Sequence, residues 1–178
     1  MTPIGSPDEQ EQSEADRLAI SRRYREQRGR ALRELAQADL PREVTEVGQF
    51  STVPIEALAA IPIAGAFVAF IARTRRARGD LTQNVLLALD EQELHLLSMR
   101  GELEGSRAEP VSAWPRADVR VGAIEAKFMR DRVTFEIAGE EPLRLFASSL
   151  RTNPWAAALV KALGGDAPEP LDLGEPDG

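Results

Sequence analysis

The 178-residue chain has no cysteine, so disulfides and thiolate metal sites are excluded. It has one histidine, His95, so a multi-histidine metal site is excluded too. No glycine-rich phosphate loop follows a strand-like run. Ser148 and Ser149 have no base at hand, because the only histidine lies in another segment. The first residues, MTPIGSPDEQ, lack a basic stretch followed by an apolar one, so no secretory signal is expected and the cytoplasm is the default location. No reaction signature emerges. The expectation is a non-enzymatic protein with no catalytic residue, no cofactor and no bound metal.

Charge is unevenly placed. Residues 1–81 carry 12 acidic and 12 basic side chains, and residues 82–178 carry 17 acidic and 10 basic, which accounts for the net charge of −7. A domain that acidic repels phosphate backbones, so nucleic acid is not expected as a partner.

The stretch Asn84–Arg100, NVLLALDEQELHLLSMR, reads as two apolar strands joined by an acidic turn, the opening hairpin of an antiparallel domain. Before it, Ser6-Pro7-Asp8-Glu9 starts a helix with a cap, a proline at the first position and a capping box. This helix is expected to reach about Ala36, within a charged unit over residues 1–41. Its apolar stripe, Leu18, Ile20, Tyr24, Ala31, Leu32 and Leu35, is too thin to sustain heptads. It is a solvated helix with a narrow docking face, or its arginines face anionic lipid, or, as the least favoured reading, nucleic acid.

Residues 42–81 read as a linker that contains an apolar segment, 57–72, of 16 residues without a charge. As a helix it would be roughly 24 Å long, short of the ~30 Å hydrocarbon core. Arg73, Arg75, Arg76 and Arg78 follow at once, the pattern found on the cytoplasmic side of a membrane segment. Two readings stay open. The segment meets the membrane, with these four arginines as anionic-lipid contacts, or it packs inside the protein or on a second copy of it.

After the hairpin, Gly101–Pro110 reads as a polar loop and Val111–Trp114 as a third strand. Asp118–Phe128 reads as a longer strand whose apolar phase flips at Gly122, the mark of a bulge. Val133, Phe135 and Ile137 alternate with polar residues, and so do Leu143 and Leu145. Asn153-Pro154 caps a last helix, with Trp155, Leu159 and Leu163 on one face. The tail over 165–178 is rich in proline, glycine and acid and is expected to be disordered. His95 reads as a strand residue without a ligand partner. Asp90, Glu91 and Glu93 read as a solvated turn, and Trp114 and Trp155 as core anchors.

A run of strands closed by one amphipathic helix resembles the pleckstrin-homology-like domain (PH-like, GRAM-like) in its bacterial, actinobacterial-type forms. VLLALDEQELHLL resembles its opening hairpin and VSAWPRADV the entry to its middle strands. VTFEIAGEEPLRLFAS resembles its closing hairpin and NPWAAALVKAL its capping helix. The resemblance covers about residues 82–163 and implies an α+β fold, a bent antiparallel β-barrel of about six to seven strands capped by the C-terminal helix. It places a PH-like domain over 82–164, which is expected to fold without the first 80 residues. It implies a binding scaffold and not a catalyst. Segment 57–72 and the arginines after it would hold that scaffold at the inner face of the cell membrane; the alternative is a soluble, self-associating interaction module with 57–72 packed internally. Lipid-binding members hold phosphates with basic residues of the first hairpin. Here that turn is Asp90-Glu91-Gln92-Glu93, which argues against phosphoinositide in the usual pocket.

Overall fold

The computed structural model describes residues 7–52, 84–100, 107–127 and 130–169, with the side chains of the first helix from Ser21 onward. The elements are α1 (Pro7–Gln37), β1 (Glu46–Ser51), β2 (Asn84–Leu89), β3 (Glu93–Arg100), β4 (Arg107–Pro115), β5 (Val119–Lys127), β6 (Arg130–Ile137), β7 (Leu143–Ser148) and α2 (Pro154–Ala162). The fold is α+β. The seven strands form one antiparallel sheet in the order β4-β3-β2-β1-β7-β6-β5, open between β4 and β5. Two meanders make it up, β1–β4 and β5–β7. They meet at a seam where a single pair, Ser51 with Phe146, joins β1 to β7.

Side chains from one face of all seven strands join those of α2, which lies against β1, in one core. Phe50, Val85, Leu87, Leu89, Leu94, Leu96, Phe135 and Leu145 form this core with Ala156, Leu159 and Val160 of the helix. Phe50 and Phe135 meet edge to face, centroids 5.7 Å apart, a pairing that adds about 1 kcal/mol to the area they bury. Gly48 lets the helix approach. A β-carbon there would sit 2.6 Å from Phe50 Cε2 and 3.3 Å from Ala156 Cα.

The other face of the first meander is covered by α1. Leu32 and Ala36 dock on Val47, Leu86, Ala88, Leu97 and Met99. Burial on both faces explains why β2 is apolar at every position after Asn84 instead of alternating, and why the interior of β3 is buried throughout, His95 and Ser98 included. The helix expected to be solvated, with a narrow docking face, thus uses its Leu32–Ala36 turn to close a second core. Tyr24, assigned to the same stripe, is exposed.

Several boundaries shift from those read in the sequence. The supposed linker contains β1, which pairs with β2 from Glu46↔Leu89 to Ser51↔Asn84 and lies in the middle of the sheet. The sheet therefore begins well before residue 82. β4 starts at Arg107, inside the expected polar loop, because its pairing with β3 continues past a bulge to Arg100↔Arg107. Pro110 is tolerated because β4 is an edge strand. The bulge at Gly122 is present, as a register shift between Val121 and Ile124.

In α2, Asn153 caps as expected, its side chain accepting from the Ala156 N–H at 3.1 Å. The buried face, however, is Ala156, Ala157, Leu159 and Val160, and Trp155 sits at its margin against both cores. Gly164, at φ +80°, closes the helix. The chain stays ordered beyond it, and Ala167 packs into the core, so disorder does not set in at residue 165. The segment 57–72 and the residues beyond 169 lie outside the described residues.

Candidate binding site

Two arrangements of side chains carry the chemistry of the described residues. The first is at the β2–β3 turn. Asp90 Oδ1 accepts the Gln92 and Glu93 N–H groups, each at 2.7 Å. Its Oδ2 accepts from His95 Nε2 at 2.9 Å. Arg42, just before β1, reaches Glu93 Oε2 at 2.7 Å and stands 3.7 Å from Asp90 Oδ2. The two carboxylates and the imidazole present ligand atoms within 4.8 Å of one another.

Asp90 is 1% exposed and His95 7%. Burial alone pushes the Asp90 carboxyl up. The His95 hydrogen bond and the two turn N–H groups outweigh it and hold the group below its ordinary value. The solvated turn expected from the sequence is thus a buried staple at Asp90, and His95 does have a carboxylate partner. Among the described residues no hydroxyl nucleophile joins the pair, and Arg42 flanks it from outside. The arrangement ties the turn to the segment that leads into β1.

The second arrangement is a groove of about 1070 Å³ beside α1. Arg22, Glu26, Gly29, Arg33 and Gln37 recur at helical spacing and form one wall. Val44 and Val47 lie along it and Pro154-Trp155 forms the far side. Trp155 Cε3 lies 3.4 Å from the place a β-carbon would take at Gly29, so the indole packs flush against α1. Four arginines (22, 25, 30 and 33) face three glutamates (26, 34 and 43) across the lining, a net positive surface on an acidic chain. The volume exceeds the usual 300–1,000 Å³ of a small-molecule site, and the groove is long and half open. Its shape suits a segment of polypeptide.

Of the residues singled out in the sequence, Arg73, Arg75, Arg76 and Arg78 lie outside the described residues. Trp114 is a core anchor, 8% exposed, whose Nε1 donates to Glu140 Oε1 at 2.9 Å. Trp155 is partly buried, and its Nε1 has no hydrogen-bond partner among the described residues. Ser148 is exposed and Ser149 partly so.

The groove itself is not visible in the sequence, because α1, β1 and α2 meet there from distant parts of the chain. The one hint was the thinness of the α1 stripe, which leaves most of that helix uncovered. Among the described residues no helix is long and apolar enough to cross a membrane. Compared with protein-family models, with curated proteins and with solved structures, the chain matches none.

Proposed function

We propose that this chain is a non-enzymatic binding module of PH-like architecture, acting at the inner face of the cell membrane. Its docking site is the groove between α1 and α2, and the occupant is an acidic amphipathic segment of a protein partner. The observation that carries this reading is the lining of the groove: arginines along the rim, and Val44, Val47 and the Trp155 indole between them. Glutamates of the partner would meet the rim while its apolar side chains cover the partly exposed Trp155 indole, with the buried Val44 and Val47 backing the groove. Tryptophan and arginine are among the side chains enriched where binding energy concentrates.

The membrane part rests on the sequence of 57–78 and on one topological fact. Ser51 pairs with Asn84, so the chain leaves the sheet at Thr52 and re-enters it at the neighbouring position. A single crossing would separate these residues by the ~30 Å of hydrocarbon. Attachment from one side is the form of association compatible with the β1–β2 pairing.

A synthetic peptide with leucine on one helical face and glutamate on the other tests the groove by fluorescence anisotropy. It should bind the full chain, and Trp155→Ala or Arg33→Glu should weaken it by at least about tenfold. A peptide with lysine in place of glutamate should not bind. Equal affinity of the two peptides, or of wild type and both variants, would overturn the groove assignment. A concentration-dependent dimer competing with the peptide would favour the self-associating reading.

A further inference from the structure

After Lys161 the chain carries no basic residue, and five carboxylates follow: Asp166, Glu169, Asp172, Glu175 and Asp177. Leu171 and Leu173 stand among them, with prolines at 168, 170 and 176. We infer that residues 170–178 dock in the groove between α1 and α2 of their own chain, as a tethered competitor of the partner segment. This inference rests on the groove as the binding site and adds its regulation.

The tail has the chemistry that the groove would select. Arg22, Arg30 and Arg33 are exposed on the lining and make no ion pair among the described residues. The glutamates of the lining leave these guanidiniums open to a carboxylate from elsewhere. In an extended chain Leu171 and Leu173 share one side and Asp172 points to the other. The leucines suit the partly exposed Trp155 indole, and Asp172, Glu175 and Asp177 suit the arginines. Pro170 and Pro176 favour the extended form, so less freedom is lost on docking. Grooves walled by an aromatic ring take extended, proline-containing segments of this kind. The other acidic run, Asp8 to Asp16, belongs to α1 and cannot fold back on its own helix.

The tail is also anchored within reach. Gly164 turns the chain at φ +80°. Gly165 comes back against α2, where a β-carbon would sit 2.6 Å from Val160 Cγ1. Ala167 then returns to the core beside that helix. The groove wall Pro154-Trp155 is the other end of α2, whose nine residues span about 13 Å. Residues 170–173 alone cover about 13 Å when extended, and 170–178 about 30 Å.

Tethering makes a weak contact sufficient. A short link holds the tail at an effective concentration on the order of millimolar. A partner must displace it, and its apparent affinity falls by the fraction of chains whose groove is open.

The test uses the full chain throughout. Because the protein has no cysteine, Gly174→Cys gives a single position for a nitroxide. With the native tail the label should broaden the Trp155 indole N–H and the Gly29 and Arg33 amide resonances, independently of protein concentration. Two tail variants serve as controls, Leu171→Ser with Leu173→Ser, and Asp172→Lys with Glu175→Lys and Asp177→Lys. Both should lose most of the broadening, and both should bind the leucine–glutamate peptide about fivefold or more tightly than wild type does.

Equal broadening in the three chains, no broadening in any, or equal peptide affinity at measurable binding would overturn the inference. Broadening that grows with protein concentration would place the tail in the groove of a second copy and overturn docking within one chain. The two readings fail separately. Peptide binding without broadening leaves the groove and removes the tail. Variant-sensitive broadening without peptide binding upholds the tail and removes the partner segment.

Discussion

His95 Nε2 and Asp90 Oδ2 stand 2.9 Å apart, both side chains buried, across the first turn after β2. The bond links the turn to the α1 side of the sheet, because His95 is in phase with Leu97 and Met99. Asp90 is the keystone, since it also takes two backbone N–H groups.

The depressed Asp90 pKa gives a pH prediction with a definite sign. A carboxyl held below its unfolded value of 3.8 stabilises the fold above that pH. The contribution fades as the pH falls through the lower folded value. Denaturant unfolding of wild type and Asp90→Asn should therefore differ most near neutral pH and converge in acid. Asp90→Ala should cost roughly 3 kcal/mol at neutral pH, because two N–H groups and His95 lose their acceptor. A gap between wild type and Asp90→Asn that stays constant down to the lowest pH would remove the Asp90 titration from the stability.

Deletion of residues 1–81 removes β1 from between β2 and β7. What remains is two meanders with no strand to join them, and Leu86, Ala88, Leu97 and Met99 lose the cover of α1. The truncated chain should fail to give dispersed amide resonances or a cooperative melt. A cooperative transition in residues 82–169 alone would mean that β1 and α1 are accessories.

The parts of the fold that were legible in the sequence are those settled locally. The β2–β3 hairpin, β6, β7, the Gly122 bulge and the Asn153 cap all follow from alternation or from a turn residue within a few positions. β1 was not legible for a physical reason. Val47 faces α1 and Phe50 faces α2, so the strand is buried on both sides and shows no alternation. Its partner β2 lies beyond residues 53–83. Asp90 was legible as a turn residue, but its burial depends on Arg42 and His95, which meet it only once the hairpin and the segment before β1 are in place. The groove needs α1, β1 and α2 together, and no window of sequence contains all three.

Gly48 and Trp155 test how α2 is held. Gly48→Ala would place a methyl 3.3 Å from Ala156 Cα, a backbone atom that cannot swing away as the Phe50 ring can. A loss of about 1–3 kcal/mol is expected from the overpacking. Trp155→Ala should cost about 2–4 kcal/mol, because the indole touches both cores though it is only partly buried. Thermal or denaturant unfolding measures both. A Trp155→Ala change below about 1 kcal/mol would mean that α1 and α2 are not coupled through the indole.

Attachment is the remaining part of the proposal, and the arginines after the apolar run are expected to decide it. Arg73, Arg75, Arg76 and Arg78 are four charges within six residues. Near an anionic leaflet each contributes about 1 kcal/mol. Replacing all four by Gln should weaken attachment by up to ~4 kcal/mol, about a thousandfold in affinity. The term would matter because 57–72, which as a helix would be roughly 24 Å long, is short for the hydrocarbon core, and because Ser51 and Asn84 are paired neighbours. Residues 82–178, at net −7 from 17 acidic and 10 basic side chains, would be repelled by the same leaflet. The sheet should therefore stand off the surface with the groove facing the cytoplasm. Liposome flotation with anionic and neutral lipid measures this. Wild type should float on anionic vesicles and lose most of that binding in high salt or as the four-Gln variant. Equal flotation of the two chains, or flotation of neither, would remove the membrane from the proposed function and leave the groove to a soluble partner.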